Sequence, residues 1–85
     1  MSDNDYILVI EDDEAIQIIV KDILASVGYK IKSAANGLEG MLLLHSEKHL
    51  PRLILLDLMM PKMDGFEFRN EQLHDPRIDK IPVLL

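Results

Sequence analysis

The sequence predicts an α/β domain: a parallel sheet with helices on both faces. Two apolar runs, "YILVI" at Tyr6–Ile10 and "LILL" within Arg52–Leu56, have no polar break and suit strands buried on both faces. Between them, apolar residues recur at steps of three and four, the period of a helix. The elements read β-α-β-α-β-α-β, and strands alternating with helices of this length form parallel sheets.

Each element has its own signal. Residues Met1 to Asp5 are a polar tail, and Tyr6–Ile10 is the first strand. From Asp13 a helical pattern carries Ile16, Ile19, Val20, Ile23, Leu24 and Val27, and Gly28 stands where a helix C-terminus favours glycine. Tyr29–Ser33, "YKIKS", alternates apolar and polar residues, and its lysines suit an edge strand that discourages further pairing. Asn36 and Glu39 form a cap pair for a second helix running to about His49. Pro51 breaks the chain before the strand Arg52–Leu56, which ends at Asp57. Asp64 and Glu67 are a second cap pair, opening a helix to about His74. "DPRIDK" reads as a loop, and Ile81–Leu85 as a further strand with Pro82 near its start, where a missing amide donor is tolerated.

Bulk properties narrow the function. Eighty-five residues make one small domain, with 48% hydrophobic and 28% charged residues. The net charge of −6 argues against nucleic acid and anionic membranes as partners. There are no cysteines, which excludes disulfides and thiolate metal sites and fits a reducing compartment. The start "MSDNDY" is not a signal peptide, and no apolar run approaches the ~20 residues of a membrane helix. The expected setting is the cytoplasm.

The chemistry lies in the acids. Glu11 and Asp12 end the first strand, and Asp57 ends the third. In a parallel sheet all C-terminal strand ends share one edge, where open α/β sheets bind ligands. If these strands are neighbours, Glu11, Asp12 and Asp57 converge. Two like charges ~4 Å apart repel by roughly 4 kcal/mol at an effective dielectric of 20. A raised pKa, a lysine or a cation must offset that. Oxygen ligands without histidine favour Mg²⁺, Mn²⁺ or Ca²⁺ over zinc. Mg²⁺ is commonly held by one or two carboxylates, waters and a substrate phosphate, and a carboxylate beside it is a recognised nucleophile. Taken singly, each acid reads as a helix cap or a solvated charge; together, at matching ends of two apolar strands, they read as a site.

These residues resemble the receiver domain of two-component response regulators. "YILVIEDDEAI" looks like the family's first strand and acidic pair. "LILLDLMMPKMDGFEF" looks like its phosphoacceptor strand and following loop, and "DPRIDKIPVLL" is similar to its approach to the fourth strand. The resemblance implies a flavodoxin-like, receiver-type sheet with strand order 2-1-3-4-5. It implies that Asp57 is the phosphorylated aspartate and that Asp12 binds Mg²⁺ directly. Glu11 would act mainly through water, with glutamate in place of the family's frequent aspartate. The backbone carbonyl of Met59 would be a further metal ligand. Asp13 would lie just outside the pocket, and Pro61 and Gly65 would shape the loop that presents Asp57. The phosphoryl donor would be a histidine kinase or histidine phosphotransfer protein. Such a module is a phosphoprotein of signal transduction and is not expected to be an enzyme.

The chain departs from the family in length. Residues 1–85 are expected to form a partial receiver domain, because the family continues past the fourth strand with a serine or threonine, a helix, a strand ending in lysine, and a last helix. No lysine present takes the missing role: Lys62 and Lys80 lie in loops, and Lys21, Lys30, Lys32 and Lys48 on other elements. Without the last helix and strand, the flank of Ile16, Ile19 and Ile23 and the edge "IPVLL" are expected to be uncovered. The chain is therefore expected to be a fragment or to self-associate through its fourth strand. The alternative function is a degenerate or truncated receiver that binds partners without phosphorylation. A haloacid-dehalogenase-type phosphatase needs a second aspartate two positions after the nucleophile, where Met59 stands.

Other residues read as structural. His45 and His49 have metal-ligand spacing but lack the zinc-protease pattern, and His74 looks like a surface residue at a helix end. Gly37 and Gly40 are expected to ease close packing or helix entry, and Phe66 and Phe68 to be core and flank residues. Met59, Met60 and Met63 are expected to be loop packing, with partner docking as the alternative.

Overall fold

The β1 strand, Tyr6–Ile10, forms the centre of a parallel sheet and is buried along its whole length. The structure, a computed structural model, describes residues 6–57 and 63–84. Within them the order is β1, α1 (Glu14–Ser26), β2 (Lys30–Ala34), α2 (Gly37–Ser46), β3 (Leu53–Leu56), α3 (Gly65–Leu73) and β4 (Val83–Leu84). The strands lie in the order β2-β1-β3-β4, all parallel, as the family resemblance implies. The step from β1 to β2 runs across the sheet in the opposite direction to the later steps. Right-handed crossovers therefore put α1 on one face and α2 and α3 on the other.

The α2–α3 face holds the main core. Tyr6, Leu8 and Ile10 of β1 and Ile54 and Leu56 of β3 pack with Met41 and Leu44 of α2 and Phe68 of α3. The opposite face is thinner. Leu53 and Leu55 are only half-buried, so β3 is not the doubly buried strand its composition predicts. The α1 helix packs on β2 rather than reaching across β3. Its least exposed residues are Gln17, Val20 and Leu24, whereas Ile16, Ile19, Ile23 and Val27 are 44–67% exposed. The predicted apolar stripe thus splits, with Val20 and Leu24 facing the sheet and the other flank uncovered among the described residues. Phe66 is exposed and Phe68 fully buried.

The predicted caps form. Asp13 accepts hydrogen bonds from the amides of Ala15 and Ile16, Asn36 from Glu39, and Asp64 from Glu67. Gly28, at φ +95°, ends α1 in the left-handed region that glycine adopts without a Cβ clash. The α2 helix stops at Ser46, short of the predicted His49. Tertiary contacts draw the next residues away: Arg77 donates to the carbonyls of Leu44 and Glu47, Tyr6 Oη donates to the His49 carbonyl at 2.8 Å, and Lys32 pairs with Glu47 at 2.7 Å. Residues 75–80 dock onto α2 through Arg77 and through His45 Nε2, 2.8 Å from Asp75 Oδ2. Gln72, fully buried, donates to the carbonyls of Ile78 and Ile81. The remaining strand ends differ from prediction by one or two residues, with Lys30 opening β2, Leu53 opening β3 and Val83 opening β4.

Two glycines are required by contact rather than conformation. A Cβ on Gly40 would come within 2.6 Å of Ile10 Cδ1, and one on Gly37 within 2.2 Å of the Met63 carbonyl oxygen. The Gly37 clash is with main chain, which no rotamer change relieves. Gly37→Ala is therefore expected to destabilise the fold by about 2 kcal/mol, more than any gain in helix propensity returns. Urea unfolding checks this, and a variant as stable as the parent would show that the approach of α2 to residue 63 is not tight.

Candidate functional site

The site forms where β1 and β3 end. Two backbone hydrogen bonds carry the ladder one residue past the strands: Glu11 N donates to Ala34 O, and Asp57 N donates to Ile10 O, both at 3.1 Å. These bonds hold the main chain of Glu11 and Asp57 at adjacent strand tips. Each of Glu11, Asp12 and Asp57 offers a carboxylate oxygen within 4.8 Å of the others. Glu11 and Asp57 are half-buried and Asp12 is exposed. Among the described residues this is the one grouping of three or more metal-competent side chains. His45 and His49 are not part of it, and His45 instead engages Asp75.

The electrostatics follow from the crowding. Glu11 is pushed up from 4.5 to about 7, first by burial and then by its hydrogen bond with the Asp57 carboxyl. The Asp13 amide, donating to Glu11 Oε2 at 3.3 Å, opposes the shift. Asp12, through a hydrogen bond, and the charge of Asp57 add to it. A proton at Glu11 is thus the means by which this edge lowers its own negative charge. The donor set is oxygen only, close-spaced and under-neutralised, which fits a hard divalent cation such as Mg²⁺.

Local sequence positions these acids. Asp13 caps α1 with its side chain while its carbonyl accepts from Gln17 N at 3.0 Å, so the helix begins immediately after the acidic pair. The Met59 carbonyl, Pro61 and Lys62 lie outside the described residues. Past that gap, Met63 adopts a left-handed φ of 49° and Asp64 caps α3, in which Gly65 is the first residue. Sequence reasoning missed Gln17, whose side-chain amide donates to the carbonyls of Glu11 and Ala34. Its signal was available in spacing, since it lies three residues before Val20 on the sheet-facing stripe of α1.

A family model described as the response regulator receiver domain matches residues 7–85. The DNA-binding dual master transcriptional regulator RpaA of Synechocystis is 42% identical over 79 residues, covering 93% of this chain and 32% of that protein. The cyanobacterial phytochrome response regulator RcpA, solved in its phosphorylated form, superposes with a TM-score of 0.84 at 34% identity, covering 94% of this chain and 62% of that one. The Mn²⁺-bound form of response regulator Rcp1 gives 0.82 at 32% identity, covering 93% and 62%. The chain thus spans about a third of the curated relative and under two thirds of these solved chains.

The raised Glu11 pKa sets a pH dependence for the metal-free protein. The folded state keeps a proton that the unfolded state releases between about 4.5 and 7. The Glu11 contribution to stability is therefore full below that window and lost as pH rises through it. Urea midpoints in a chelating buffer are expected to fall across this range more steeply for the parent than for Glu11→Gln. Parallel curves for the two proteins would show that Glu11 does not titrate there.

Proposed function

The chain belongs to the response regulator receiver family, and on that footing we propose that Asp57 accepts a phosphoryl group from a phosphohistidine in a two-component phosphorelay. Receiver domains are signalling modules of such systems, and the single observation that carries the finer reading is the convergence of Glu11, Asp12 and Asp57 at one sheet edge. The phosphorylated state of RcpA and the Mn²⁺ in Rcp1, each about a third identical, support it.

In this reading an Asp57 carboxylate oxygen attacks the phosphorus of phosphohistidine. The new O–P bond forms as the N–P bond breaks, and the electron pair returns to that ring nitrogen; a proton already carried on the donor's other ring nitrogen lets the imidazole leave neutral. The acceptor needs little activation, because phosphoryl transfer asks mainly for positioning and charge neutralisation. The hydrogen bond from Asp57 N to Ile10 O holds the acceptor in place at the end of a half-buried strand. Asp12, Glu11 and Asp57 would hold Mg²⁺, with the Met59 carbonyl as a further proposed donor. Bound there, the ion would neutralise the carboxylates and the incoming phosphoryl oxygens. The donor would be a histidine kinase or histidine phosphotransfer protein in the cytoplasm, and residues 1–85 would act as one partial receiver domain.

The phosphoryl group carries roughly two negative charges and replaces the single charge of the Asp57 carboxylate beside Glu11 and Asp12, which biases the surface around that edge. The test uses phosphoramidate, whose N–P bond matches that of phosphohistidine, with Mg²⁺ and intact-mass detection. The parent chain is expected to gain one phosphoryl group, and Asp57→Asn to be labelled about a hundredfold more slowly or not at all. Labelling that survives the substitution would exclude Asp57 as the acceptor. A parent chain that binds Mg²⁺ yet stays unlabelled would favour the interaction-module alternative.

A further inference from the structure

We infer that Gln17 is a positioning residue for the carboxylate set, acting through the main chain of Glu11; the inference rests on the metal-binding reading above. The ladder between β1 and β2 ends with the pair Ile10 and Ala34. Past it, the Glu11 amide still reaches Ala34 O, but the Glu11 carbonyl has run out of strand. The Gln17 side-chain amide supplies the missing partner. Its Nε2 donates to Glu11 O and also to Ala34 O at 3.2 Å, which uses both amide hydrogens. The residue between the strand tip and the helix is thereby held at its N–H and its C=O.

This matters because that carbonyl belongs to the peptide unit joining Glu11 to Asp12. The plane of one peptide fixes the direction in which the carboxylate-bearing carbons on either side of it point. Mutual repulsion among Glu11, Asp12 and Asp57 favours rotation of this peptide, which would swing the acids apart. The two donors from Gln17 oppose that rotation. Gln17 is itself anchored, because its backbone amide closes the first turn of α1 on the Asp13 carbonyl at 3.0 Å. A loop of seven residues, Glu11 to Gln17, is therefore closed at the site by a side chain that reaches no carboxylate.

The test reads metal affinity and the side chain separately. Isothermal titration calorimetry with Mg²⁺ compares the full chain with Gln17→Met, which keeps the length and loses the donors, and with Gln17→Glu, which replaces donors by acceptors. Gln17→Met is expected to weaken binding about tenfold, the usual effect of removing a group that orients a ligand, and Gln17→Glu to weaken it further. A thermal melt confirms that each variant is folded at the titration temperature. The effect of Gln17→Met is expected to shrink in a Glu11→Gln background, because the two changes act on one ligand. A tie that merely joins α1 to the sheet would lower the melting temperature and leave affinity unchanged, which would overturn the inference.

A second measurement needs no variant. The chain has two glutamines, Gln17 and Gln72, and the latter donates to Ile78 and Ile81 at the far end of α3. In ¹⁵N spectra, Mg²⁺ is expected to shift the Gln17 side-chain NH₂ pair and leave that of Gln72 in place. Binding by the parent with no Gln17 shift, and with equal affinity in Gln17→Met, sinks this inference alone. A parent chain that binds no Mg²⁺ sinks it together with the proposed function.

Discussion

The hydrogen bond from Asp57 N to Ile10 O is the constraint on which the site depends. It exists because β3 pairs with β1 and not with β2, and because the pairing is parallel and in register from Ile7–Leu53 to Ile10–Leu56. A slip of one residue would turn Asp57 to the opposite face and move Ile54 and Leu56 out of the core. The burial of those two side chains against Phe68 and Leu44 therefore holds the acid in place as firmly as any contact in the site itself. Core packing and site geometry are one specification here, read at two positions along the same strand.

The arrangement opposes its own stability. Three acids at one edge raise the free energy of the metal-free fold, and Glu11 relieves part of it by keeping a proton up to about pH 7. A divalent cation relieves the same repulsion without that proton. The proposed ion and the proton would therefore compete for the same oxygens. The stability that tolerates this is concentrated elsewhere, in a central strand whose five residues are all buried. Functional edges of this kind are commonly held against their preference by a well-packed interior.

Much of this was legible in the residue order. The continuous run "YILVI" and the cap residues Asp13, Asn36 and Asp64 depend on local physics, and each behaves as its neighbours dictate. The meeting of Glu11, Asp12 and Asp57 was legible only with the assumption that the first and third strands are adjacent, which no periodicity carries. Other features were set by partners distant in sequence. The end of α2 depends on Arg77, 33 and 30 residues away, and on Tyr6, 43 residues from His49. The half-exposure of Leu53 and Leu55 depends on where α1 lies, which composition does not encode. Gln17 received no reading from the sequence: its spacing places it on the stripe of Val20, but its partners are backbone carbonyls, which leave no mark in a sequence.

The groups that hold the edge share a chemical property. Glu11 N, Ala34 O, Asp57 N, Ile10 O and the Gln17 amide do not titrate in the range where proteins work, and none is an acidic side chain. Gly37 against Met63 adds a contact of main chain with a residue that has no side chain. Frame and chemistry are therefore carried by different atoms. In the proposed function the carboxylates would take up a proton, an ion or a phosphoryl group while the bonds that fix their Cα positions stay the same. A site whose frame was built from its own acids would rearrange at each change of charge. One built from backbone amides and carbonyls offers the same geometry to every occupant, which is what transfer of a group to a fixed acceptor requires.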